Sequence, residues 1–151
     1  MAHSGVVDVV RLTASDTHPL RRSVLRDGTP SDQVVFDGDD EPTTFHLGVR
    51  ADDEIVAIST WMARRYPDLP ALAGYQLRGM AIDRSMQGAG VGGRLLVAGV
   101  ERCIELGAVV VWARARVTAL AFYERHGFTT HGPEYTDLTT GLQHVDIVRT
   151  L

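Results

Sequence analysis

The stretch from Leu77 to Gly107 constrains the fold more than any other part of this chain. Leu77 to Ile82 is an apolar run suited to a strand, with Gly79 inside it, and a short polar connection leads to Gln87-Gly88-Ala89-Gly90-Val91-Gly92-Gly93. Beyond the glycines, Leu96, Val97, Val100, Cys103 and Ile104 recur at the spacing of one helical stripe, with Arg94, Glu101, Arg102 and Glu105 opposite. Gly107 ends that helix as a left-handed residue would, and Ala108 to Ala113 reads as a strand buried on both faces. A strand, helix and strand joined at this length cross over right-handed with parallel strands. The glycine loop then lies at the carboxyl end of the first strand, where free amides and the positive end of the helix dipole suit a phosphate or pyrophosphate.

Gly88, Gly90 and Gly93 satisfy G-x-G-x-x-G, a pattern shared with dinucleotide sites. The second strand ends Trp112-Ala113-Arg114-Ala115, so no acidic residue is present to hold a ribose, although an arginine suits a 2′-phosphate. Too little chain follows for a six-stranded doubly wound sheet, and no lysine follows the glycines, which excludes a P-loop.

Two motifs in order carry a more specific signal. Gln87-x-x-Gly90-x-Gly92 after a strand, followed by Ala119-Leu120-Ala121-Phe122-Tyr123-Glu124-Arg125-His126-Gly127-Phe128, resembles the GNAT superfamily of N-acetyltransferases. The resemblance of order and spacing runs from Val6 to the end, and the motifs cover Leu77 to Phe128. It implies an α/β (α+β) fold: a single GNAT-like domain over residues 1–151, residues 1–5 being a flexible N-terminus. Its mixed, mostly antiparallel sheet of about six to seven strands would be flanked by helices around a central β-α-β acetyl-CoA-binding unit. It further implies that acetyl-CoA is the co-substrate and an amine the acceptor. The loop Gln87, Gly88, Ala89, Gly90, Val91, Gly92 and Gly93 would hold the pyrophosphate. Backbone groups of Met80, Ala81 and Ile82 would pair with the pantetheine arm, one N–H facing the thioester oxygen. Ala119, Phe122, Tyr123 and His126 would form the helix face that leans on the coenzyme. Tyr123 is the candidate general acid for the leaving thiolate, against a plain core tyrosine, and Phe122 either touches the coenzyme or packs. Where the family commonly has Asn, this chain has Arg116, which reaches a phosphate or solvent.

The remaining residues read as follows. Val6 to Leu12 suits a first strand. A helix capped by Ser15 or Asp16, with Pro19 in its first turn, runs to about Arg26 and turns Leu20, Val24 and Leu25 to the sheet. Arg21, Arg22 and Arg26 are then outside, as a solvated face or as a lip for a phosphate or acidic substrate. Gly28 to Pro42 is a polar loop whose Asp37-Gly38-Asp39-Asp40-Glu41 fits no calcium-loop spacing. It is a solvated loop or a lip attracting a cationic amine. Thr43 to Arg50 and Glu54 to Met62 form a hairpin about Ala51-Asp52-Asp53. The stretch Arg64 to Gly74, with Pro67 and Pro70, is a second candidate lip. Gly79 suits a bulge that opens the cleft. Phe128 to His131 is a strand into Gly132-Pro133, and Leu142 to Leu151 is the last strand. Glu134 between them is a candidate base to take the proton of the attacking amine, with Asp83 the weaker candidate.

Composition removes other classes. A net charge of -4 at pH 7 argues against a nucleic-acid partner. No apolar run approaches the roughly 20 residues that span a bilayer, and the N-terminus lacks a basic-then-apolar signal, which points to a cytoplasmic protein without membrane association. His46, His131 and His144 have no metal-ligand spacing, so no metal is expected. Cys103, on the helix stripe, is a buried inert thiol. With no Cys or Ser beside an evident His, direct attack of the amine is expected rather than an acyl-enzyme. The rival reading is a non-catalytic acyl-CoA-binding module of the same fold. The acceptor stays open among peptide N-termini, lysines, polyamines, aminoglycosides and small metabolites, and a homodimer is possible.

Overall fold

The structure, a computed structural model, describes residues 8–151. Seven strands form one mixed sheet: β1 (Asp8–Leu12), β2 (Phe45–Ala51), β3 (Glu54–Ala63), β4 (Gly74–Ile82), β5 (Val110–Arg116), β6 (Thr129–Thr136) and β7 (Gln143–Thr150). Their order is β1-β2-β3-β4-β5-β7-β6, and only β4 and β5 run parallel. Val6, Val7 and the expected flexible end lie outside the described residues. No helix among the described residues is long and apolar enough to cross a membrane.

The crossover between β4 and β5 is α2 (Val91–Glu105). Its buried residues are Val91, Leu95, Leu96, Val100 and Cys103 with Gly92 and Gly99, and Gly107 takes φ 90° after it as expected. The apolar stripe therefore leaves out two residues that spacing included: Val97 is 45% and Ile104 52% exposed. Val97 faces the cavity over the glycine loop, so its exposure belongs to the site.

Under α2 lies Trp61, fully buried, stacked on Phe45 and donating from Nε1 to Ser59 Oγ at 2.8 Å. A Cβ on Gly99 would lie 1.8 Å from the Trp61 ring, so this residue sets how closely α2 approaches the sheet. Alanine at 99 gains about 1 kcal/mol of helix propensity but overpacks a rigid ring, which costs about 3 kcal/mol or more. Gly99→Ala is therefore expected to lower stability by about 2 kcal/mol in urea titration; an unchanged midpoint would refute this contact.

On the other sheet face sits α1, a chain of three helical turns: a 3₁₀ turn Ser15–Thr17, an α turn His18–Leu20 and a π turn Arg21–Leu25. Leu20 packs there with Leu12, Ile58 and Ala81. The π turn winds wider than an α-helix, and it carries Arg21 inward. Arg21 was expected outside; it is fully buried. Its guanidinium donates to both Asp39 oxygens (2.7 and 2.9 Å), to the Val34 carbonyl and to Thr60 Oγ1. The segment 28–42 is accordingly not a purely solvated loop, since Val34, Phe36 and Asp39 are buried.

A third helix, α3 (Leu120–Arg125), follows a 3₁₀ turn Val117–Ala119 and packs Tyr123 beside Phe128. The strand expected to stop at Gly132 continues to Thr136, with a register break between His131 and Tyr135 that absorbs Pro133.

Candidate active site

Pairing between β4 and β5 runs from Gly74↔Val110 to Leu77↔Ala113 and stops there, although both strands continue. The cause is in β4. Opposite Ser59, between the pairs Thr60↔Arg78 and Ile58↔Ala81, β4 carries two residues, Gly79 and Met80. This is the expected bulge, with Gly79 at φ 63°, and it bends the strand away from β5. A side chain at 79 would also meet Phe36 at 2.7 Å. Beyond the bulge β4 is paired only to β3. The Asp83 amide donates to the Val56 carbonyl at 2.8 Å, so strand alternation turns the amides of Ile82 and Met80 toward the open side.

At the end of β4 the chain enters the glycine loop and α2. Gly90 caps the helix at φ 79°, and the amides of the first turn have no partner in the helix. Space beside Gly88 and Gly90 is open, so the loop backbone faces a cavity freely. The far wall is α3, through Phe122, Arg125 and His126. Glycine at 92 and 93 allows this approach: a Cβ at 92 would lie 2.6 Å from Ile82 Cδ1, and one at 93 would lie 3.0 Å from His126 Nε2. His126 Nδ1 faces the Phe122 carbonyl at 2.8 Å, so that nitrogen carries the proton and Nε2 looks to the helix start. The Gln87 side chain donates to the Ile82 carbonyl at 3.1 Å, tying the loop back to the strand.

Tyr123 lines a second cavity, while its neighbour Phe122 lines this first one. Tyr123 is 8% exposed, and its hydroxyl lies 3.8 Å from the Met80 sulfur, beside the bulge. Burial pushes its pKa up to about 12, so the phenol is neutral and keeps its proton at working pH.

The second cavity, of about 230 Å³, occupies the gap where β4 and β5 part. Met80, Ala119 and Tyr123 line it together with Arg26, Arg78, Arg114 and Arg116. Asp137 and His144 also face it. Among the described residues no group of metal-ligating side chains is present.

A family model described as the acetyltransferase (GNAT) domain matches residues 34–151. The chain belongs to the GNAT acetyltransferase family. A relative from Bacillus subtilis strain 168, named uncharacterized N-acetyltransferase YitI, is 26% identical over 97% of both chains. Two solved structures are similar in fold. FeeM, an N-acyl amino acid synthase from uncultured soil microbes, superposes with a TM-score of 0.81 at 12% identity, covering 96% of this chain and 91% of its own. ElaA from Escherichia coli gives 0.77 at 19% identity, covering 95% and 99%.

With the GNAT fold in place, most residues singled out in the sequence gather around the strand parting. Ile82, Gly88, Gly90, Val91, Gly92, Gly93 and Phe122 line the glycine-loop cavity. Met80 and Tyr123 line the other, while Ala81 turns its side chain into the α1 core. Gln87 and Ala89 line neither cavity. Arg94 and Arg125, at the glycine-loop cavity, escaped the motif reading because Arg94 follows the glycine motif and Arg125 holds an unspecified position of the second motif.

Several expectations change. Arg116, read as reaching a phosphate or solvent, donates to the Leu25 carbonyl and lines the arginine-rich cavity rather than the glycine-loop cavity. Glu134 is exposed on the edge strand β6 at its register break and lines neither cavity. Asp83 caps the 3₁₀ turn Arg84–Met86, its Oδ1 accepting from the Ser85 amide and hydroxyl. Those two bonds hold its pKa below the ordinary value and leave it a poor base. The acidic segment lines neither cavity, and two of its four carboxylates are already paired, Asp39 with Arg21 and Glu41 with Arg64. Nor does 64–74 close over the site, because Tyr66 is buried against Trp112 and donates to Asp146 Oδ2 at 2.8 Å.

Proposed function

We propose that this protein is an acetyl-CoA-dependent N-acetyltransferase that transfers the acetyl group by direct attack of an amine. The observation that carries this reading is the parting of β4 and β5, with helix-start amides at one cavity, a second cavity of about 230 Å³ in the gap, and the Tyr123 hydroxyl at that second cavity beside Met80 of the bulge. The diphosphate lies against the first turn of α2, where unpaired amides and the dipole favour anions, with Arg94, Arg125 and His126 nearby. The pantetheine arm runs along the unpaired edge of β4 as an added strand would. The amides of Met80 and Ile82 on that edge are the donors for the thioester oxygen. A donor preset for developing negative charge contributes about 3 kcal/mol.

The amine nitrogen attacks the thioester carbon, the C–N bond forms, and negative charge collects on the carbonyl oxygen. As that charge returns, the C–S bond breaks and the Tyr123 hydroxyl gives its proton to the departing sulfur; solvent then restores it. The nitrogen's surplus proton passes to a group lining the second cavity. His144 is placed for this: its Nδ1 donates to the Leu142 carbonyl at 3.1 Å, which leaves Nε2 as the acceptor.

Thermal-shift titration with coenzyme A, beside thiol-release assays with acetyl-CoA and an amine panel, tests the reading. Stabilisation by micromolar coenzyme A and amine-dependent thiol release are expected. No association with coenzyme A would end the reading, and tight association without acetylation of any amine would favour a non-catalytic binding module.

A further inference from the structure

The cavity between β4 and β5 is strongly basic in a chain whose net charge is -4. Four guanidinium groups from three elements converge on it: Arg26 from the end of α1, Arg78 from β4, and Arg114 and Arg116 from β5. Among the described residues none of the four forms an ion pair with a carboxylate. The buried acid nearest in the fold, Asp39, is consumed by Arg21. Asp137 faces the cavity, but its Oδ1 accepts from the amides of Thr139 and Thr140. Asp146, opposite Arg114 across β5 and β7, accepts from the Tyr66 and Tyr135 hydroxyls instead.

Three of these arginines, Arg26, Arg78 and Arg116, are half-buried, and Arg114 is exposed. Arg26 is held by Nε donating to the Gln33 carbonyl at 2.7 Å, and Arg116 by the Leu25 carbonyl. Arg78 lies with its Cζ 4.6 Å from the centre of the Phe36 ring, and Arg114 stands 5.6 Å from that of Trp112. Burial and mutual repulsion both disfavour the charge on Arg78 and Arg116, and the fields of Asp39 on Arg78 and of Asp137 on Arg26 and Arg116 offset only part of this, since neither acid forms an ion pair with these arginines. Such a set is costly to hold together without an anion to answer it, and guanidinium forks match carboxylate and phosphate oxygens two at a time.

We infer that the acceptor is a small amine carrying its own anionic group, a carboxylate or a phosphate, seated between Arg78, Arg114, Arg116 and Arg26 with its nitrogen toward Tyr123. This rests on the proposed function for the position of the thioester; of the two lips the sequence left open, it takes the basic one through Arg26 and not the acidic one. The anionic group is the handle and the amine is the reacting end. Acceptors with extra positive charge are rejected by the same field.

The test pairs amines that differ only in the anionic group: aspartate against aspartate diamide, phosphoethanolamine against ethanolamine, with spermidine as the cationic arm. Each is assayed for acetylation and, by calorimetry, for binding to the protein with and without coenzyme A. At least one anionic member is expected to exceed its neutral partner about 10- to 100-fold in kcat/KM and to outbind it. The better of the two pairs says whether carboxylate or phosphate is read. Arg78→Gln is expected to cut that advantage about tenfold, mainly through KM, with coenzyme A affinity retained; Arg114→Glu is expected to shift preference toward spermidine. Equal or better use of the neutral or cationic arms overturns the inference while leaving acetyl transfer intact. So does coenzyme A binding without any anionic probe binding at millimolar concentration. A protein that binds the anionic amines but no coenzyme A refutes the proposed function and upholds the basic cavity.

Discussion

Asp39→Ala is expected to destabilise the protein by about 3–5 kcal/mol, a large share of the stability of a domain this size. The physical reason is what remains behind. Arg21 is 0% exposed in its side chain and would keep its charge with only the Val34 carbonyl and Thr60 hydroxyl as acceptors. The Phe36 amide, which donates to Asp39 Oδ2 at 2.9 Å, would lose its partner too. His46 bonds both Thr60 and the Asp39 carbonyl, so the loss spreads through one connected network. The double variant Arg21→Met, Asp39→Leu is expected to be more stable than either single one, because it removes both charges together. Urea titration of the three variants decides the matter; single variants as stable as the parent would refute the network's role. The pH dependence has a definite sign. Burial alone would raise the pKa of Asp39, but hydrogen bonds from Arg21 and Phe36 outweigh it and hold the pKa below 3.8. Its contribution is thus present above pH 3.8 and is lost as pH falls toward the lower native value. Asp39→Asn is expected to blunt this acid loss.

Tyr123→Phe is expected to lower kcat about 10²- to 10⁴-fold in the acetyl-transfer assay, the range for losing a positioned general acid. The same change is expected to cost under about 1 kcal/mol of stability, since the hydroxyl touches only the Met80 sulfur, a weak acceptor. Coenzyme A affinity is expected to be unchanged, because in the proposed reading the diphosphate rests at the glycine loop, in a cavity that Tyr123 does not line. A variant with both affinity and turnover intact would remove Tyr123 from the mechanism. With its pKa raised from 10.0 to about 12, Tyr123 stays protonated through the neutral range and places no alkaline limb on kcat there. Stability behaves differently: between about pH 10 and 12 the unfolded phenol ionises while the native one resists, so stability falls over that window. The phenylalanine variant loses less over the same window.

The two kinds of residue in these predictions were unequally visible in the sequence. The glycine loop, the parallel β4 and β5, the bulge glycine and the Tyr123 helix were all legible, because each depends on local spacing or on the conformation that glycine alone takes without strain. Arg21 was misplaced because an α-helical wheel assigns it to solvent, and the π turn that turns it inward has no sequence signature. Asp39 read as one carboxylate in an acidic loop, since its partner is remote in sequence and found only through packing. Glu134 was nominated as a carboxylate in the connection between the last two strands, but that connection is itself strand, and the edge position of β6 leaves Glu134 outside both cavities.

Local chemistry in the chain itself determined that a glycine-rich helix start follows a broken strand and that a tyrosine helix returns beside it. Three-dimensional packing alone decided which charges are spent and which are free. It buried Arg21 against Asp39 and left Arg26, Arg78, Arg114 and Arg116 facing one cavity without carboxylate partners among the described residues. Ion pairing depends on distances between residues far apart in sequence, and those distances exist only once the strands have aligned and parted.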